Sequence, residues 1–529
     1  KRQIEPYYYG IKGGSYNPSN PTDYEIERLG TSGTDYLKTS DISKASDQTF
    51  YLDARVNYDR QFNLHHVTGM LIYMQREYRS SVLPERNQGF SGRFTYDYGQ
   101  RYLVELNFGY NGTERLAKKE RFEFFPAVSL GWVISNEKFF EPMTKYIDNL
   151  KIRGSYGLVG SDETGLSAGA QHFLYIDQVS LNNIGFTTGV DMNYTLYGPL
   201  VTNYAVVNGG WERVKKLDIG IDLELFRQLT ITADYFNEKR YNILLHREAW
   251  PESLGYYTAK PWSNKGKVDN WGIELSVNWR KEFTKDLYVD FRGNFTYTEN
   301  KYVNLDEPVY PYVWKTSTGK PLSRTTGYIA QGLFSSQEEI DNSPTQNLGS
   351  TVKPGDIKYR DVNGDGKIDG SDQVMISPYG TTPRIQYGLG MNVTYKKFDF
   401  GVFFNGSAKR TIMISGISPF GQSDYNVMQF IADDYWSESN PNPNAKYPRL
   451  GLTSSQTANN TVASTYWMRN GNFIRFKTLE LGYKFKYGRV YLNGDNIAVF
   501  SPFKLWDPEL SWNAYPLQRT FNIGVQLNF

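Results

Sequence analysis

The chain has 529 residues, with 58 Lys and Arg against 56 Asp and Glu, and this balance gives no electrostatic footprint for nucleic acid. Cysteine is absent, which excludes disulfides and thiolate chemistry. The four histidines are too few to suggest a multi-histidine metal centre.

Aromatic residues make up 16% of the chain, with 42 Tyr, 31 Phe and 11 Trp, although the average hydropathy is polar. A β-barrel in a bilayer accounts for both observations, because aromatic rings form girdles at its two interfaces and only one face of each strand meets lipid. No run of about 18 apolar residues predicts a transmembrane helix. The first residues do not resemble a signal peptide, so we expect a mature product or a fragment.

Apolar and polar residues alternate along the chain in segments of about 9–12 residues, which is the length that a tilted strand needs to cross a bilayer. In residues 217–225, for example, Leu217, Ile219, Ile221, Leu223 and Leu225 alternate with polar residues and glycine. The pattern predicts strands near 50–58, 66–76, 88–97, 101–111, 125–134, 150–159, 210–226, 229–245, 266–281, 286–300, 383–395, 398–408, 470–485, 488–499 and 518–529. Soluble β-sandwiches and β-solenoids also alternate, with shorter strands, and periodicity alone leaves them open.

Short and long connections alternate between the predicted strands. Long connections fall near 77–87, 160–209, 246–265, 301–382, 409–469 and 500–517. Outer-membrane barrels have short periplasmic turns and long external loops. We therefore expect a transmembrane antiparallel β-barrel whose long loops are extracellular and whose C-terminus is periplasmic.

A twelve-residue run within the long segment 301–382 has the ligand spacing of a Ca²⁺ loop. Side-chain oxygens come from Asp361, Asn363, Asp365, Asp369 and Asp372, and Lys367 is expected to offer its backbone carbonyl. Gly366 stands where such loops turn sharply. The alternative is a metal-free turn stabilised by its own Asx side chains. Either way, the sequence predicts an architectural role for residues 361–372, and Ca²⁺ is the one cofactor that it suggests.

Two further features are candidates for recognition. The last predicted strand presents Phe521, Ile523, Val525, Leu527 and Phe529 on one face, as an outer-membrane assembly signal does, although an arbitrary chain end remains open. Tyr435, Trp436 and Trp467 lie in the loop 409–469, where they could stack on sugar rings, contact a partner or simply pack the loop.

Several motifs resemble, in their order, the barrel of SusC/RagA-type TonB-dependent outer-membrane transporters. They are Phe125–Trp132, Leu150–Gly157, Trp211-Glu212, Asn270–Leu275, Gly355–Tyr359 leading into Asp361–Asp369, Tyr435-Trp436, Tyr447–Leu450, Phe473–Tyr483, Asn493–Asn496 and Asp507–Glu509. The resemblance covers nearly the whole chain.

The resemblance implies a barrel of about 22 strands, closed by a plug domain and covered by a SusD-like surface lipoprotein. It implies active import of a glycan or peptide, driven by TonB through an N-terminal region. No plug or TonB box is recognisable before residue 50. We therefore expect residues 1–529 to be the C-terminal part of the barrel, with about fifteen of its strands, and the remaining N-terminal segment to be a further partner.

Other functions remain as alternatives. A siderophore-type receptor or a passive porin is a neighbouring class, and a surface glycan-binding or adhesion barrel without transport is a different one. No nucleophile–base arrangement suggests an enzyme. The sequence does not identify residues that bind substrate.

Overall fold

The computed structural model describes residues 2–3, 6–15, 17, 19–20, 23–31, 33–36, 38–39, 46–80, 84–163, 174–206, 209–254, 260–414, 427–451, 453–511 and 514–528. Throughout this part of the chain, no helix has the length and hydropathy that a membrane span requires.

A large sheet of fifteen strands dominates the described residues, and its strands lie side by side in chain order. Each pair whose register is described is antiparallel, from β3–β4 to β14–β15. The strands are β1 (Gln48–Phe62), β2 (His65–Arg79), β3 (Glu85–Tyr98), β4 (Tyr102–Thr113), β5 (Phe122–Val133), β6 (Ile147–Ser161), β7 (Glu212–Leu225), β8 (Leu229–His246), β9 (Trp262–Thr284), β10 (Leu287–Asn304), β11 (Ile385–Tyr395), β12 (Phe398–Ala408), β13 (Phe473–Phe485), β14 (Gly488–Phe500) and β15 (Thr520–Leu527). The predicted all-β class is confirmed.

The two faces of this sheet differ in polarity, as the period-two pattern predicts. Register places Ile219, Tyr235, Ile273 and Tyr297 in one row across β7–β10. Ile219 is 48% exposed and Ile273 is 44% exposed. The parallel row on the opposite face is Asp222, Thr232, Ser276 and Asn294. A soluble sandwich would bury its apolar rows, whereas here they are exposed as a lipid-facing surface would be.

Short turns join several pairs of neighbouring strands, as the predicted alternation of short and long connections requires. Two of these turns, Gly99-Gln100 and Phe226-Arg227, have positive φ at both residues. This backbone twist matches that of the flanking strands and is typical of tight hairpins.

Several connections differ from prediction in their bounds or their content. The segment predicted as a long connection at 77–87 is shorter, because β2 continues to Arg79 and β3 begins at Glu85. Residues Gln178–Thr188 and Tyr194–Asn203 pair as a hairpin within the connection 160–209. Strands can continue beyond bilayer length without an apolar face, so the membrane-type pattern does not mark where they end.

Smaller elements lie outside the large sheet. The strand pairs are Arg2–Gln3 with Lys38–Thr39, Tyr9–Ile11 with Ile26–Arg28, Thr325–Gly327 with Val374–Ser377, Ala330–Leu333 with Ile357–Tyr359, Thr345–Gln346 with Lys367–Ile368, and Thr411–Met413 with Met468–Asn470. The α-helices are Gln337–Asp341, Gln429–Ala432 and Ser454–Thr461, and the 3₁₀ helices are Ile134–Asn136, Lys138–Met143, Glu252–Leu254, Val313–Lys315 and Gly370–Asp372.

The chain divides into two compact units. Unit 1 comprises Lys1–Leu52 with Gln75–Arg86, and its contacts include the ion pair between Lys12 and Glu25 at 2.6 Å. Unit 2 comprises Asp53–Met74 with Asn87–Phe529 and contains most of the sheet and all the long loops discussed below.

Candidate functional site

Charged side chains form networks on the polar face of the sheet. Arg153 of β6 contacts Asp218 and Asp222 of β7 at 3.2 Å each and Asp234 of β8 at 2.6 Å. Near the other end of the sheet, Arg489 of β14 contacts Asp399 of β12. Such charges are stable on a wet surface and costly in lipid. Sequence analysis missed these networks, although the charges occupy polar-face positions of neighbouring predicted strands.

The long connections 301–384, 409–472 and 501–519 pack around a shared apolar cluster, here called the loop core. Its largest fully buried member is Trp467, which donates from Nε1 to the carbonyl of Asn460 at 2.7 Å. Its buried members are Tyr328, Leu333, Ile357, Tyr359, Ile368, Ile412, Ile414, Ile431, Trp436, Ala445, Tyr447, Trp467 and Phe503. The long loops are therefore folded against one another.

A buried polar network joins the same loops. Asp356, which is fully buried, binds Arg449 at 2.7 Å and accepts from Asn460 at 2.7 Å. The Tyr359 hydroxyl donates to the carbonyl of Asn459 at 2.8 Å, and burial raises the pKa of this hydroxyl. Buried polar groups with these partners hold the loops in one arrangement.

Motifs that are far apart in the sequence meet in the structure. Arg475 contacts Asp507 at 2.7 Å and Glu509 at 2.7 Å, and it also donates to Asn496. These four residues come from three of the segments that resemble the SusC/RagA family. The arginine anchors the connection after β14 to β13.

A second pair of these motifs meets at the ends of β5 and β7. The rings of Phe125 and Trp211 pack edge to face at 5.3 Å, and Trp211 donates from Nε1 to the carbonyl of Arg121 at 3.2 Å. A third contact is between Gly355 and Trp436, where an added Cβ would lie 2.2 Å from the indole. Gly355 also has φ of +86°, so both its backbone conformation and the nearby indole exclude a side chain there.

The aromatic residues predicted as recognition candidates pack inside the loops. Trp467 and Trp436 are buried, and Tyr435 packs against the loop core. Of the interpretations left open by the sequence, loop packing is therefore confirmed for these three residues.

The acidic loop 361–372 uses its side chains to order its own backbone. Asp361 accepts from the amides of Gly364 and Gly366 at 2.7 and 2.8 Å, and Asp372 accepts from Val362 and Asp369 at 2.8 and 2.9 Å. The remaining carboxylates act likewise, since Asp365 accepts from Lys367 and Asp369 accepts from Ser371.

The same loop has the sharp turn expected at Gly366 and one buried apolar residue. Ile368 is fully buried in the loop core, and Gly366 has φ of +80°. Asn363 also donates to Asp365 at 2.9 Å. Across the described residues, His, Cys, Asp and Glu side chains form no group of three that could hold a metal. The observed contacts fit an Asx-rich turn, and Ca²⁺ binding at Asp361, Asn363, Asp365, Lys367, Asp369 and Asp372 stays a prediction.

The last strand, β15, pairs with β14 and exposes one apolar row. Phe521, Ile523, Val525 and Leu527 are between 51% and 82% exposed, whereas Phe529 lies outside the described residues. Their role as an assembly signal stays a prediction.

Two cavities open among the long loops. One of about 830 Å³ is lined by polar side chains such as Thr345, Asn347 and Ser350, together with Asp341 and several apolar side chains. The other, of about 570 Å³, lies between the connections 409–472 and 501–519 and is lined by Tyr466, Arg469 and other residues. Both are large enough to hold part of a small-molecule ligand.

Comparisons with known proteins agree with this architecture. TonB-dependent receptor P3 of Formosa agariphila is 25% identical over 92% of this chain and 50% of its own length, and TonB-dependent receptor SusC of Bacteroides thetaiotaomicron is 27% identical over 83% and 43%. The RagAB peptide transporter has a TM-score of 0.66 at 18% identity, over 91% of this chain and 55% of its own, which shows the fold. The chain spans about half the length of the curated relatives it matches.

The family model described as "TonB dependent receptor-like, beta-barrel" matches residues 5–497. It accounts for the exposed apolar rows, the charged opposite face and the long folded loops, and it confirms the resemblance read from the motifs. The chain therefore belongs to the TonB-dependent receptor-like β-barrel family of the outer membrane.

Proposed function

We propose that this chain takes part in TonB-dependent active import of a nutrient across the outer membrane. The observation that carries the proposal is the contrast between the two faces of the sheet. Exposed apolar rows suit contact with lipid, and the Arg153 and Arg489 networks suit a wet interior. Family membership supports the same function, with TonB as the energy-coupling partner.

We infer that the nutrient is a glycan or a peptide, captured together with a SusD-like lid lipoprotein. The two loop cavities support this inference, because their hydroxyl, amide and cationic groups can bind the polar groups of such oligomers. The structurally similar RagAB is a peptide transporter, and at 18% identity the similarity supports the fold alone. In this proposal the long loops are extracellular and the C-terminus is periplasmic.

Growth of a deletion strain tests the import function. The gene is deleted in its host, and growth is measured on single glycans and on single peptides as the limiting nutrient. We expect growth to fail on one nutrient class, to recover with the full gene, and to fail again when TonB is removed. Uptake that persists without TonB would indicate a passive porin. Unchanged growth with lost surface binding of the glycan would indicate an adhesion protein.

A further inference from the structure

We propose that the lipid-facing side of β7–β10 binds the headgroup of a phosphorylated glycolipid at the end of these strands that leads into the long connections. The proposal rests on the outer-membrane location proposed above, since only a chain embedded there would meet such a lipid. It adds a binding surface that import does not require.

Exposed lysines form the first part of this surface. Lys215, Lys239 and Lys301 occupy one row across β7, β8 and β10, and Asp269 of β9 lies between the last two. Lys267 lies one row further along β9, paired with Tyr241. All four lysines are exposed, and none has a carboxylate partner within the described residues.

Register places these lysines on the face that meets lipid. The exposed row containing Tyr235 and Ile273 is followed two residues later by the row containing Asn237 and Trp271, and two residues later again by the lysine row. Side chains two apart share a face. Lys239 therefore lies roughly 13 Å along the strand beyond Tyr235, at about 3.3 Å per residue. Interfacial Trp and Tyr rings lie at the level of lipid headgroups, and Trp271 is one row below the lysines, so these cations are within reach of lipid phosphates.

A cavity of about 400 Å³ lies beside the lysine row. Its lining includes Asn237, Asp269, Trp271, Glu299 and Lys301. The indole of Trp271 packs edge to face on Tyr297 at 5.7 Å, and the Tyr297 hydroxyl donates to Glu299 at 2.8 Å. An indole next to carboxylate and amide groups is suited to a sugar ring and its hydroxyls.

The charges distinguish a glycolipid from a simple phospholipid. Asp269 and Glu299 would repel a phosphate inside the cavity, but they would accept hydrogen bonds from sugar hydroxyls. Lys301 at the cavity and the other exposed lysines of the same face, among them Lys215 over the ring of Tyr241 at 5.5 Å, attract phosphate instead. Lys409 adds a further cation, with Nζ 4.6 Å from the centre of the Tyr297 ring. A headgroup with both a sugar ring and phosphates satisfies both parts of the surface.

Lipid binding to the full-length protein in neutral detergent tests the proposal, with dissociation constants measured by native mass spectrometry. The probes are bisphosphorylated lipid A, phosphatidylglycerol and phosphatidylcholine. We expect lipid A to bind most tightly. The variant with Lys215, Lys239, Lys267 and Lys301 all changed to Gln should bind it at least about tenfold more weakly, because it removes four cations that attract the anionic headgroup.

Matched variants separate lost binding from lost folding. Changing the same four lysines to Arg keeps the charge and should keep the affinity. Changing Lys145, Lys285, Lys397 and Lys486 to Gln removes four exposed lysines at the short-turn end of the strands and should also keep it. If the quadruple Gln variant does not assemble, the double variant Lys239→Gln with Lys301→Gln replaces it.

Two results would overturn the proposal. One is equal affinity of the wild type and the Gln variant for lipid A, and the other is binding of phosphatidylglycerol as tightly as lipid A. The assay needs neither nutrient nor proton gradient. Its failure therefore leaves the import proposal standing, and failure of the growth assay leaves lipid binding standing.

Discussion

At the scale of single residues, two arginines each bind several acceptors. One of them joins a loop to a strand, and the other joins two loops. Arg475 binds Asp507 through both carboxylate oxygens, at 2.7 and 2.9 Å. Arg449 joins the buried Asp356 and the carbonyl of Gln456. The planar guanidinium suits such paired recognition better than a lysine ammonium does. Both pairs join segments that resemble the family, so these motifs contain residues that contact one another in the fold.

Arg449→Met is expected to destabilise the loop core by about 3–5 kcal/mol, because it leaves the carboxylate of Asp356 buried without its cation. Faster cleavage of the connection 409–472 by a protease added to whole cells would report the loss. Arg227→Met is the control, since the Arg227 side chain is 90% exposed beside Asp148 and its loss should leave cleavage unchanged. Equal cleavage of all three proteins would contradict the prediction.

At the scale of elements, period two predicted all fifteen strands of the large sheet, but not where they end. β9 covers 23 residues, although the apolar alternation marks only 266–281. The reason is that apolar residues alternate only where the strand faces lipid, whereas the hydrogen bonds between neighbouring strands continue beyond that part. The alternating pattern also failed to predict the hairpin of Gln178–Thr188 and Tyr194–Asn203. Its pairing includes several register shifts, which interrupt a simple alternating pattern.

The acidic loop 361–372 is the element whose role the sequence left open. Calorimetric titration of the full-length protein should show heat of Ca²⁺ binding that disappears with Asp361→Ala, because Asp361 supplies the first ligand position. Asp433→Ala serves as the control, since Asp433 is an exposed carboxylate outside residues 361–372 that accepts from Gln429. Absence of heat in the wild type would leave the Asx-rich turn as the whole function of the loop.

At the scale of the whole molecule, the contrast between the faces of the sheet is what ties the chain to a membrane. Half-exposed Ile219 and Ile273 would be a liability in water, where large exposed apolar surfaces drive association. The charged networks on the other face would be equally costly in lipid. Only a sheet with lipid on one side and water on the other satisfies both.

Ile273→Arg is therefore expected to destabilise the protein in phospholipid bilayers by about 1–2 kcal/mol, because an arginine facing lipid costs about 2–4 kcal/mol at the midplane and less toward the interface, and Ile273 shares its row with two tyrosines. Ser276→Arg, three residues along β9 on the opposite face, should cost much less. The free energy of unfolding in guanidinium, measured in bilayers, gives both values. A similar cost for the two variants would mean that the faces are not solvated differently.

The sequence by itself determined the all-β class, the number and order of the large strands, the face of each side chain and the family. The class, the strands and the faces follow from local rules, because strand periodicity is written in neighbouring residues, whereas the family follows from the resemblance of the motifs. Only the tertiary structure decided which distant residues meet, such as Asp356 with Arg449 and Arg475 with Asp507. It also decided that Trp467 is buried in the loop core. These outcomes depend on how long connections fold back on one another, and no local spacing encodes that path.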